Sequence, residues 1–279
     1  MTGVASSVVS LRGVTKTFDN GLTALAGFDL DLGQGEFLSL LGPSGCGKST
    51  VLRLVAGLSA PTAGAVRWSD APDGDHRAEI GFVFQEPTLM PWASVADNVG
   101  LPLRLRGLSR REALARVEAS LALVGLADFA GAFPAELSGG MSMRVSIARA
   151  LSMRPRLLLM DEPFAALDEI TRFRLNDDLL RLHGELGCSI VFVTHSVYES
   201  VYLSHRIAVM TPRPGRIAAQ VSVDPSLART AAFRSSVTYA RLCGEASQAL
   251  ALASSRAEGS SRAEDSSRVE DSSRAEDSS

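Results

Sequence analysis

The sequence predicts an α/β fold: a mixed, mainly parallel sheet flanked by helices, with an N-terminal antiparallel β subdomain and an α-helical insertion. Three observations carry this. Short apolar runs at 36–41, 80–84, 156–160 and 188–194 lack alternation, as parallel strands covered on both faces do. Helical patterns separate these runs. The first run leads directly into a glycine-rich loop and then a helix, Gly42-Pro43-Ser44-Gly45-Cys46-Gly47-Lys48-Ser49-Thr50 followed by Val51-Leu52-Arg53-Leu54-Val55-Ala56.

That loop matches G-x-x-x-x-G-K-[ST], whose physics is phosphate binding. Gly42, Gly45 and Gly47 admit close approaches and dihedrals that a Cβ forbids. Successive N–H groups then face inward as an anion nest. The helix that starts near Lys48 adds the positive end of its dipole. Lys48 is placed to reach the β- and γ-phosphates of a nucleoside triphosphate, and the Ser49 hydroxyl to ligate Mg²⁺. Gly57 ends the helix and Pro61 blocks its resumption.

Hydrophobic residues make up 46% of the 279, enough for a substantial core. The formal net charge of −3 gives no electrostatic case for nucleic-acid binding. Cys46, Cys188 and Cys243 lie far apart without a C-x-x-C pair, which argues against a disulfide framework or zinc site and suits a reducing cytosol. No window of about 18 apolar residues could cross a membrane unaided. The N-terminus lacks the basic and apolar segments of a signal peptide.

In chain order, residues 1–7 are small and polar and expected to fray. Residues 8–14 and 28–32 alternate as strands around the turn Asp19-Asn20-Gly21. Phe18, just before that turn, is either a core residue at a strand end or an exposed ring that stacks on a purine. Residues 65–68 read as a strand, 69–77 as a polar loop and 80–84 as an apolar strand. Gln85 follows at its end, either as an ordinary loop residue or as an amide that meets Mg²⁺ or orients a water. The segment 86–95 is apolar and carries two prolines, which exclude a regular helix or central strand. Helical patterning dominates 94–154. Ser109-Arg110-Arg111-Glu112 reads as a capping box, opening a helix to about Val124 with apolar positions Leu114, Val117, Leu121 and Val124. Ser138 reads as the N-cap of a helix running from Met141 to about Met153. Gly139 and Gly140 there make either an anion site or simply a capped helix start.

The run at 157–160 ends in Asp161-Glu162. Adjacent carboxylates repel unless a cation is near. In phosphate-loop hydrolases an Asp here holds the Mg²⁺ shell, and an acid directly after it can activate water. Asp168 opens a helix to about Leu186, and His195 ends the strand 188–194. Gln85, Asp161, Glu162 and His195 therefore share the carboxyl edge of the sheet with the phosphate loop; His76, His183 and His205 have no such context. Residues 207–210 and 217–221 flank Arg213-Pro214-Gly215-Arg216 as a hairpin. Residues 226–253 read as a weakly helical C-terminal extension. From 254 to 279 a Ser-Ser-Arg-Ala-Glu-Asp unit repeats with variants. Its four Arg against four Glu and three Asp account for the whole net charge, and with almost nothing to bury it is expected to be disordered.

The ordered set resembles the ATP-binding cassette family over residues 8–225, with an ATPase domain over 1–225, a P-loop NTPase core and a helical subdomain at about 94–154. Gly42 to Thr50 looks like its Walker A, Gln85 its Q-loop, Leu137-Ser138-Gly139-Gly140-Met141 its signature and 157–162 its Walker B. Asp168 resembles the D-loop acid, His195 the switch histidine and Phe18 the adenine-stacking aromatic. The resemblance implies a head-to-tail homodimer, with ATP and Mg²⁺ between the Walker A of one subunit and the signature of the other. It implies Ser49, Gln85 and Asp161 at the metal, Glu162, His195 and Gln85 in catalysis, and Asp168 at a dimer contact. Residues 83–92 and the 213–217 hairpin are similar to importers of nitrate, sulfonates and taurine, and also to importers of thiamin precursors and riboflavin. This implies a subunit peripheral to the cytoplasmic face of the plasma membrane, a permease, and a periplasmic solute-binding protein acting indirectly. The apolar cluster of Leu89, Met90 and Trp92, just after Gln85, either docks that permease or packs Trp92 inside the helical insertion. Ser142-Met143 departs from the polar pair that usually follows the signature.

A soluble cassette ATPase acting on nucleic acid would carry tandem cassettes, insertions or basic faces, and a P-loop kinase would lack the signature and His195. Deleting 254–279 is expected to leave ATPase rate and melting temperature unchanged, because a chain without apolar anchors cannot dock firmly. A fall of several degrees in calorimetry would show that the repeat packs on the domain.

Overall fold

The structure is a computed structural model that describes residues 7–69 and 76–255. The expectations for residues 1–6, for most of the loop at 69–77 and for the repeat from 256 onward fall outside the described residues.

Strand β3 (Phe37–Leu41) lies inside a six-stranded sheet between β7 (Ser189–Thr194) and β8 (Arg206–Met210), parallel to both. Outward from β7 come β6 (Leu157–Asp161) and β5 (Ile80–Val83), also parallel. On the far side β9 (Ile217–Ser222) closes the sheet antiparallel to β8, as the hairpin reading requires. Every residue of β3 and β7 is buried. The period of two explains how both faces can be apolar. Phe37, Leu41, Ile190 and Phe192 enter one core, while Leu38, Leu40, Val191 and Val193 enter another.

Helix α1 (Lys48–Val55) covers the second face with Val51, Leu52, Leu54 and Val55. The same core includes β1 (Ser7–Thr17) and β2 (Thr23–Gly33), which with β4 (Ala63–Trp68) form a separate antiparallel sheet in the order β2-β1-β4. These strands extend beyond the 8–14 and 28–32 limits of the sequence reading.

On the other face lie α4 (Gly139–Leu151), α5 (Glu169–Leu186) and α6 (Val197–Leu203). Together with α2 (Val95–Leu105) and α3 (Arg110–Leu123), α4 makes up the helical insertion. The capping box is present, with Glu112 N–H donating to Ser109 Oγ and Ser109 N–H to Glu112 Oε2. Val117, Leu121 and Val124 are buried, but Leu114 is 56% exposed and Ala113 points inward in its place. The buried row therefore runs through 113, 117, 121 and 124. The C-terminal extension is firmer than its sequence suggests. Helix α7 (Ala231–Arg234) and a helix over 237–255 pack on the core through Phe233, Tyr239, Leu242, Ala246 and Ala253.

Two side chains hold the proline-containing loop at 84–94. Asn98, fully buried, accepts from Met90 N–H at 2.7 Å, and its amide nitrogen reaches the carbonyls of Met90, Ala93 and Ser94 at 3.0–3.2 Å. Arg149 donates to the Pro87 and Thr88 carbonyls at 2.8 and 2.9 Å. The loop cannot join a ladder, so these groups satisfy its backbone. Asn98→Ala is expected to cost about 2–3 kcal/mol by orphaning buried backbone groups. Urea unfolding measures it, and a loss below about 0.5 kcal/mol would mean that the loop finds other partners.

Candidate active site

The phosphate loop leaves β3 at the carboxyl edge of the sheet. Gly47 caps α1 with φ +107°, and a Cβ there would meet Leu25 Cδ2 at 2.8 Å and the Ala24 carbonyl at 2.9 Å. The first turn of α1 has no acidic residue and no side-chain cap, so its N–H groups and dipole remain available to an anion. Lys48 is only 4% exposed, which for an ammonium demands partners. Its Nζ donates to the Gly42 and Pro43 carbonyls at 2.8 and 3.0 Å and lies 3.5 Å from Glu162 Oε1. Burial pushes the Cys46 thiol up, so the loop brings no thiolate near a phosphate.

Register brings the other groups alongside. Leu41 at the end of β3 pairs with Thr194, and Asp161 at the end of β6 pairs with Val193. The Ser49 hydroxyl donates to Asp161 Oδ1 at 2.9 Å. Burial pushes the Asp161 carboxyl above its ordinary range, the Ser49 hydrogen bond opposes this, and the charge of Glu162 adds to it. A hydroxyl beside a half-buried carboxylate suits a hard divalent cation, which prefers oxygen ligands and keeps waters and phosphate oxygens in its shell. Among the described residues no group of three His, Cys, Asp or Glu is placed to hold a metal ion.

Glu162 has φ +46°, a strained conformation for a residue with a Cβ. Its N–H donates to the Val193 carbonyl at 3.0 Å, and its carboxylate spans Lys48 and His195, with Oε2 at 3.3 Å from His195 Nδ1. More than half of the His195 side chain is exposed. Behind it, Thr194 Oγ1 donates to the buried Glu199, which lies 3.5 Å from Arg172 Nε, and Arg172 donates to the Leu167 carbonyl. The sequence reading missed Glu199 and Arg172. A Glu on the first turn after the histidine was the visible signal.

The remaining predicted residues lie on other elements. Gln85 is exposed two residues beyond β5, at the start of the loop that ends near Trp92. Trp92 is 78% exposed and Leu89 and Met90 are half-buried, so the Trp is not part of the helical core. Phe18 is 38% exposed in the turn between β1 and β2, with Lys16 Nζ 5.5 Å from its ring, which excludes a core role. Ser138 caps α4 through Met141 N–H at 3.2 Å. The 137–141 segment packs on the start of α5, where a Cβ on Gly140 would meet Thr171 Cγ2 at 2.7 Å. Of the two changed positions, Met143 is buried in the core while Ser142 is half-buried, and the retained Arg144 pairs with Asp178 at 2.7 Å. Asp168 caps α5 by accepting from Thr171 N–H at 2.9 Å.

Residues 25–165 match the family model described as ABC transporter. The chain is 50% identical over 196 residues to the aliphatic sulfonates import ATP-binding protein SsuB 1 of Xanthomonas axonopodis pv. citri, covering 70% of this chain and 77% of that one. It is 45% identical over 201 residues to the taurine import ATP-binding protein TauB of Rhizobium johnstonii, covering 72% and 77%. The dimeric structure of the ATP-binding cassette MJ0796 bound to ADP and Pi matches with a TM-score of 0.68 and 35% identity, over 77% of this chain and 99% of that one. The phosphate loop, the paired acids and the histidine lie on one sheet edge, and the likeness spans most of the chain: it belongs to the ABC transporter family.

Proposed function

We propose that this chain is the ATP-binding and hydrolysing subunit of an importer for a small sulfonate-like anion. The observation that carries the hydrolytic part is the convergence of Lys48, Ser49, Asp161, Glu162 and His195 around the phosphate loop. The names of the relatives support the solute class.

Gly42 to Thr50 bind the phosphates through backbone N–H groups, Lys48 meets the β- and γ-phosphates, and Phe18 stacks on the adenine. Ser49, Asp161 and Gln85 would hold Mg²⁺, which would supply neutralisation of the charge on the phosphate oxygens. Glu162 takes a proton from the attacking water as its oxygen bonds to the γ-phosphorus and the bond to the bridging oxygen breaks. His195 contacts the γ-phosphate, beside the Glu162 carboxylate. In a second copy, Leu137 to Met141 present the N-terminus of α4 to the same nucleotide, and Asp168 lies at the dimer contact. No helix among the described residues is long and apolar enough to cross a membrane. The import names of the relatives support assigning the membrane step to a permease, with a periplasmic binding protein supplying solute and this subunit on the cytoplasmic face. The docking surface is Leu89, Met90 and Trp92, joined to Gln85 by a few residues of backbone.

Glu162→Gln is expected to retain ATP binding, abolish turnover and accumulate an ATP-bound dimer, since it removes the base and one negative charge while preserving shape. Gel filtration with Mg-ATP and a phosphate-release assay test this. Continued hydrolysis by a monomer would remove Glu162 as the base and the dimer with it.

Trp92→Ala is expected to leave melting temperature and basal ATPase nearly intact while abolishing solute uptake and co-purification of the permease. An interface Trp is typically worth ~2 kcal/mol or more. Normal uptake by this variant would exclude the docking surface.

A further inference from the structure

The turn Arg213-Pro214-Gly215-Arg216 has no part in the chemistry above, yet it lies against the phosphate loop. Arg213 donates from both Nε and Nη2 to the Gly45 carbonyl, at 3.1 and 2.9 Å. Gly215 packs so closely that a Cβ would stand 2.2 Å from the Cys46 carbonyl. Its N–H donates to the Ala24 carbonyl at 2.8 Å, and its own carbonyl accepts from Ala26 N–H at 3.3 Å, so the turn is tied to β2 as well. Thr211 closes it, donating its N–H to the Arg216 carbonyl at 2.9 Å and accepting from Arg216 N–H at 3.0 Å.

The Gly45 oxygen belongs to the same peptide unit as the Cys46 N–H. In a trans peptide these two groups point in opposite directions. A guanidinium that fixes the oxygen therefore also fixes the Cys46 N–H, pointing away from Arg213. That N–H makes a long contact of 3.4 Å to the Pro43 carbonyl, which leaves donor capacity for an anion. A charge-assisted bond on the oxygen also polarises the peptide and strengthens its N–H as a donor. Glycine at 45, with φ +75°, would otherwise leave this peptide free to rotate.

We propose that the 211–216 turn is a clasp that sets the affinity of the phosphate loop for polyphosphate, with Arg213 as a positioning residue acting through the Gly45–Cys46 peptide. This rests on the reading of 42–50 as the phosphate site. Arg213 is exposed, so replacing it does not open the core.

The test is Arg213→Met in the full chain, with ADP affinity measured by calorimetry and pyrophosphate measured as a competitor. The dissociation constant for ADP and the inhibition constant for pyrophosphate are both expected to rise about three- to tenfold, as loss of a charge-assisted bond allows. The melting temperature should stay within about 2 °C of wild type, as for other exposed substitutions. Unchanged ADP affinity would overturn the proposal. So would weaker ADP binding with unchanged pyrophosphate inhibition, because the effect would then run through β2 and the nucleoside. A wild-type chain that binds neither compound would overturn the phosphate-loop reading itself.

Discussion

The parallel pairing of β3 with β7 on one side and β8 on the other is the constraint on which the site depends. It sends the phosphate loop, the Asp161-Glu162 pair and His195 to one edge of one sheet, in a register that links Leu41 to Thr194 and Asp161 to Val193. A slip of one residue would exchange the contents of the two cores, because alternate side chains of β3 and β7 belong to different ones. The placement of these groups is therefore protected by hydrophobic burial remote from them, at roughly 1.5–3 kcal/mol for each large aliphatic side chain.

Two loops that cannot join the sheet are held by the same physical device. Arg149 grips the Pro87 and Thr88 carbonyls and Arg213 grips the Gly45 carbonyl. Burial pulls the Arg149 guanidinium down from its ordinary range, but that range is so high that it remains a cation. A planar cation with several donors suits irregular backbone, where carbonyls diverge and no strand can pair with them. Each grip also couples a loop to a distant element, α4 for the 84–94 segment and the 211–216 turn for the phosphate loop.

The fold and the chemical core of the site were legible because they rest on local patterns. A buried strand that runs into glycines, Lys and Ser suits little besides phosphate binding. The Asp-Glu pair at a strand end called for a cation on charge repulsion alone. Helix starts at Ser109, Ser138 and Asp168 were visible because caps are short-range chemistry. The supporting contacts were not legible. Asn98, Arg149, Glu199 and Arg213 act on partners that are distant or irregular in sequence, and polar residues in helices or turns read as surface. Leu114 was misplaced for a related reason, since periodicity defines a stripe but not the rotation of the helix against its neighbour. The C-terminal helix looked weak because much of its buried face is small residues, Cys243, Ala246 and Ala253.

The left-handed backbone at Glu162 has a consequence for how this chain can vary. Holding a Glu at φ +46° costs on the order of 1 kcal/mol that a glycine would avoid, and asparagine would tolerate the position better. Selection for stability alone would therefore move the sequence away from the residue proposed as the general base. At this one position, thermal robustness and turnover are opposed by a single dihedral angle, and a search for more stable variants that ignores activity would drift towards inert ones.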